Sequence, residues 1–67
     1  MSLTVCFNGP NGEAVDRFGI PVPRVGEVVL VTNNNPAEII MSGVVDRICW
    51  RYSGPSIAIA EVFLREQ

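Results

Sequence analysis

Residues 46–52 read Asp46-Arg47-Ile48-Cys49-Trp50-Arg51-Tyr52. They hold the only Trp, the only Tyr, two of the five basic residues and one of the two cysteines. Three kinds of chemistry come to mind. A cysteine set between arginines invites a nucleophile reading, but a nucleophile needs a base, and the chain has no histidine to supply one. A small buried thiol is the simpler reading of both Cys49 and Cys6. Arg47 and Arg51 stand roughly 13 Å apart at strand rise. That is too far to clamp one carboxylate, although they could track an extended acidic or phosphate-bearing partner. Cross-strand pairing with Glu27, Glu38 or Glu61 is the plainer expectation. Trp50 and Tyr52 could stack on a base, as aromatics do on single-strand-binding barrels. Against that, five aromatic residues barely furnish a core, so Trp50 is expected to be mostly buried, with Tyr52 at a rim.

Elsewhere the sequence offers no reactive constellation. Glu13, Asp16, Glu27, Glu38, Asp46, Glu61 and Glu66 are scattered singly, with no spacing that suggests acid–base work or a cation loop. Asn8-Gly9 and Asn11-Gly12 lack the Lys-Ser/Thr and the helix that a phosphate-cradling loop requires, and read as turns. Without histidine or a Cys-x-x-Cys pair, a structural zinc site has no ligands. No catalytic residue, metal or cofactor is therefore expected, and the two cysteines are expected as free thiols.

Sixty-seven residues allow one domain, residues 1–67. A chain this short gains only a marginal core, and disulfides, metal or a partner subunit usually make up the deficit. With the first two disfavoured, oligomerisation is the expected remedy. Nearly half the residues are hydrophobic, which rules out a disordered tail. No apolar run approaches the roughly 20 residues a membrane helix needs. The opening "MSLTVCFNGPNGE" has neither the basic segment nor the apolar stretch of a signal peptide. A soluble cytoplasmic protein is the expectation. Net charge is −2 with every basic residue an arginine, which lacks the clustered basic excess of a nucleic-acid binder.

What would position these residues is a set of short strands. Turn signals fall at "NGPNG" (8–12), "NNNP" (33–36) and "SGP" (53–55). Strands are expected over Leu3–Phe7, over about Glu27–Thr32, from a start at Ala37–Met41 that continues as a long strand through Val44–Tyr52, and over Ser56–Leu64. Residues 14–20 read equally as a short strand or a loop, and "PVP" at 21–23 cannot sit in a central strand. A helical turn at 36–39 is the only helix the pattern permits. Gly43 is expected to bend its strand, and a bulge near Asp46 would swing that carboxylate outward. The fold class is all-β, a small five-stranded barrel or roll of SH3-like or OB-like kind.

Period two sorts the strands into faces. Val44, Asp46, Ile48, Trp50 and Tyr52 share one face, and Val45, Arg47, Cys49 and Arg51 the other. In the last strand Ile57, Ile59 and Phe63 are expected in the core. Ala58, Ala60, Val62 and Leu64 then form a second apolar face, which a second copy of the chain would cover. A homo-oligomer, most simply a dimer, is expected through those four residues.

The run "VPRVGEVVLV", a turn, "SGVVDRICWRY" and "IAIAEVFL" resembles short reading frames of bacteriophages and prophages. These share a Val-Gly-Asp/Glu start, a Gly-x-Val strand leading to Ile-x-Trp, and a closing apolar strand. The likeness spans residues 22–64 and implies a phage accessory protein with an SH3-like barrel. It transfers no functional residue. The shape is also similar to the small plasmid-borne dihydrofolate reductase, but that family's Val-Gln-Ile-Tyr segment is replaced by Ser56-Ile57-Ala58-Ile59-Ala60. Its activity is not carried over.

The expected function is a non-enzymatic protein-binding module, in a phage setting one that modulates a host protein. Arg47, Trp50, Arg51 and Tyr52 are its candidate contact residues. The alternative is a nucleic-acid-binding barrel that uses Arg47, Arg51 and an exposed aromatic. An enzyme assembled across a subunit interface comes third.

Overall fold

The two Asn-Gly pairs make the first reversal of the chain. Gly9 N–H donates to the Glu13 carbonyl at 2.8 Å, and Gly12 takes a left-handed φ of 90°. This turn joins β1 (Ser2–Asn8) to β2 (Ala14–Phe18), which pair antiparallel from Asn8↔Ala14 to Thr4↔Phe18. The computed structural model describes residues 2–33 and 38–67. Most of the expected turn at 33–36 and the first half of the helical turn at 36–39 fall outside them, and Ile39 belongs to a strand. Among the described residues there is no helix. β3 (Val28–Thr32), β4 (Ile39–Tyr52) and β5 (Ile57–Arg65) complete the fold.

The strands lie in the order β2-β1-β5-β4-β3 as one mixed sheet that curls into a half-barrel. β1 runs parallel to β5, and the other neighbours are antiparallel. β4 is the pivot. Its first part, Ile39–Val44, pairs with β3, and its second part, Val44–Tyr52, pairs with β5. The corner between them is the extra residue Asp46, where the register slips between Val45 and Arg47. The carboxylate swings outward as expected and stands 3.8 Å from the Arg65 guanidinium. Gly43 is a place of close approach: a Cβ there would lie 2.6 Å from the Arg65 carbonyl oxygen.

The bulge also exchanges the faces of β4. Val45, not Val44, points inward ahead of it, and Ile48, Trp50 and Tyr52 point inward after it. The core is built from Val5 and Phe7 on β1, Val31 on β3, Met41 and Val45 on β4, and Val62 and Leu64 on β5. Leu3, Val15, Ile20, Val22, Val29 and Ile48 pack around it.

This arrangement overturns the expected interface. Ala58, Ala60, Val62 and Leu64 are all buried in the chain's own core, while Ile57 is exposed and Ile59 and Phe63 are only half-buried. The reason is register. Ala58, Ala60 and Val62 align with Leu3, Val5 and Phe7, so they share the inner face. Both faces of β5 are apolar, so period two identifies the pair of faces without saying which is inside. The ambiguous segment settles it: Val15, Ile20 and Val22 cover the inner face from within the same chain.

Candidate functional site

The inner face fills unevenly. Over Val5, Ala60 and Val62 it is dry, but β3 pairs with β4 only as far as Val44. Beyond the corner no strand among the described residues pairs with the other side of β4, and its inward residues become progressively exposed. Ile48 is half-buried, Trp50 is 45% exposed and Tyr52 is 72% exposed. Trp50 is therefore not the mostly buried core residue expected. Its indole needs flanking elements on both sides, and the half-barrel supplies one.

Trp50 and Tyr52 stand two residues apart on one face and lie nearly parallel. Their ring centroids are 6.4 Å apart and their planes differ by 13°. Their cross-strand partners on β5 are Ala60 and Ala58. Small side chains there leave the two rings standing above the neighbouring strand. The result is an exposed aromatic step at the open end of the half-barrel.

The two arginines do not join this step. Arg47 and Arg51 point to the outer face, opposite Phe63 and Ile59 respectively. The Arg47 guanidinium carbon sits 4.2 Å from the centre of the Phe63 ring, a cation–π contact. Arg51 Nε pairs with Glu61 at 2.9 Å, one of the expected carboxylates. Arg51 is exposed and Glu61 half-buried, and an ion pair open to solvent on one side contributes about 1 kcal/mol or less. The four candidate contact residues thus divide into an aromatic pair inside and two engaged cations outside.

The cysteines also lie on the outer face, in the row Asp16–Cys6–Glu61–Cys49. Neither is buried as expected: Cys49 is exposed and Cys6 half-buried, and both are free. Burial pushes the Cys6 thiol above its ordinary value of 9.0, helped by its hydrogen bond to Asp16 and by the charges of Asp16 and Glu61, while Arg51 opposes them. A thiol flanked by two carboxylates is a poor nucleophile.

Two clefts lie on the described surface. One of ≈ 340 Å³ lies among Pro10, Asn11, Glu13, Ser42 and Glu66. The other, of ≈ 450 Å³, separates Pro21-Val22-Pro23 from Val28-Val29-Leu30. Among the described residues no three His, Cys, Asp or Glu side chains gather as metal ligands. No described helix is long and apolar enough to cross a membrane. The aromatic step was legible only in part: the sequence placed Trp50 and Tyr52 on one face, but not that β3 stops short of them. Comparison with family models, with curated proteins and with solved structures finds no match.

Proposed function

We propose that the chain is a non-enzymatic protein-binding module that presents Trp50 and Tyr52 to its partner. The observation that carries this reading is the exposure of two stacked rings on one face of β4. Trp and Tyr dominate the energetics of protein contacts because they bury large area at little cost in side-chain freedom. Leaving both uncovered in a chain with five aromatics gives up core material, and a binding role accounts for that sacrifice. The resemblance to phage reading frames makes a protein of the bacterial host the partner we propose, met in the cytoplasm. The test is capture from host lysate with the wild type and with a Trp50→Ser/Tyr52→Ser variant. A protein retained by the first and lost by the second is the expected result; identical capture by both would refute the reading.

A second reading has one observation in its favour. Near-parallel rings offer π-faces on which nucleobases stack. The cations that would follow the phosphates, however, lie on the opposite face with partners of their own. Binding of single-stranded oligonucleotides that weakens steeply with salt would select this reading over the first.

A further inference from the structure

β3 pairs with β4 only as far as Val44, and Gly26 and Glu27 bond Val45 just beyond. Past Asp46, residues 47–52 pair with β5 on one side and with no described strand on the other. Cys49, Trp50, Arg51 and Tyr52 are exposed in succession, so this edge is open to solvent.

The backbone phase of the edge is fixed by the hairpin that follows it. Ser53 N–H donates to the Ile57 carbonyl at 3.0 Å, one residue beyond the pair Tyr52↔Ala58. Bonded and non-bonded pairs alternate along an antiparallel ladder. Arg51, Cys49 and Arg47 are therefore bonded to β5, and Tyr52, Trp50 and Ile48 turn their N–H and C=O groups the other way. The bulge end agrees. Val45 gives its groups to Gly26 and Glu27, so its pair with Leu64 is non-bonded and the next pair, Arg47↔Phe63, is bonded. No described group meets the outward N–H and C=O of Ile48, Trp50 or Tyr52. The two residues of the aromatic step thus also carry unpaired backbone.

We propose that this edge takes an extended segment of the partner protein as an added strand along residues 47–52. The proposal rests on the protein-binding reading of the aromatic step and states the chemistry of what binds there. A row of unpaired donors and acceptors at strand spacing is the complement of an extended backbone. Side chains of an added strand alternate between the two faces. On the inner face they meet Ile48, Trp50 and Tyr52, and apolar residues fit. On the outer face they meet Arg47 and Arg51, and charge selects acidic residues. Arg47 has the Phe63 ring but no carboxylate partner among the described residues, and the Arg51 side chain stays 64% exposed beside Glu61. These cations guard the edge against a second copy, which would bring its own Arg47 and Arg51 to it. Carboxylates at alternate positions convert that guard into an attraction.

The probe is an end-capped peptide of alternating valine and glutamate, titrated into the wild type. Binding is read by Trp50 fluorescence and by amide hydrogen exchange. In the free protein the Cys49 and Arg51 amides should exchange slowly and the Trp50 and Tyr52 amides fast. The peptide should shift the Trp50 emission and slow the Trp50 and Tyr52 amides at least about tenfold. The same peptide with lysine for glutamate should bind at least about tenfold more weakly. Trp50 and Tyr52 amides that stay fast at millimolar valine-glutamate peptide overturn the proposal, as does equal binding of the two peptides. Host capture that depends on Trp50 and Tyr52 would in that case keep the protein-binding reading without the added strand, so the two failures are told apart.

Discussion

Arg17 on β2 reaches across the open side of the half-barrel to the Thr32 carbonyl on β3, 3.1 Å away. These are the two outermost strands of the sheet, so one side chain ties together the edges that a closed barrel would join by backbone. Arg17→Met keeps the apolar stem and removes the donor. It should destabilise the fold by about 1 kcal/mol, read as a lower urea midpoint. An unchanged midpoint would mean that the curl of the sheet holds without the tie.

Val62 and Ile57 lie on opposite faces of one strand, and arginine at each separates the two faces. Val62 is fully buried, so Val62→Arg should cost more than about 4 kcal/mol. That is comparable with the whole stability expected of a chain this size, about 3–10 kcal/mol, and the variant should be largely unfolded. Ile57→Arg, at an exposed position, should remain within about 1 kcal/mol of the wild type. A folded Val62→Arg variant would return Val62 to the surface.

Gly43→Ala tests the close approach of β4 to β5. The added methyl meets the Arg65 carbonyl oxygen at 2.6 Å, and backbone cannot turn aside as a side chain can. A loss of about 1–3 kcal/mol is expected. Gly12→Ala is the control: it meets no neighbour and pays only for its left-handed φ of 90°, about 1 kcal/mol. Equal losses at the two positions would argue against the close approach at Gly43.

Cys6 and Cys49 should separate in thiol chemistry. The folded protein raises the Cys6 thiol above 9.0 through burial and then Asp16. Cys6 should therefore alkylate more slowly than exposed Cys49, and the gap should narrow only at alkaline pH. The same shift links to stability. Its contribution is intact below the unfolded thiol's pKa and is lost as pH rises from there through the folded one. Cys6→Ala should flatten that alkaline decline, and an unaltered decline would assign it to other groups.

The strands were legible because their residues are β-branched and their turns carry Asn-Gly or Gly-Pro. The bulge at Asp46 was legible too, because a lone carboxylate broke an apolar face. The inside of the barrel was not. Ile57, Ile59 and Phe63 look more core-like than Ala58 and Ala60 by size, yet the alanines face Leu3 and Val5 where two strands meet closely. Choosing between two apolar faces requires the partners of β5, and the parallel pairing with β1 has no local signature. Trp50 was misplaced for a related reason: its burial depends on where β3 ends, a fact carried by residues remote from it in sequence.

The proposed function requires that Trp50 be displayed in the free protein and covered in the bound one. Trp50 is the only tryptophan, so its fluorescence reports this site alone. Collisional quenching by iodide, measured before and after adding a partner captured through the aromatic step, is the direct measurement. The predicted result is a readily quenched indole in the free protein that becomes protected in the complex. An indole shielded in the free protein, or quenched equally in both, would contradict the role assigned to Trp50 and Tyr52.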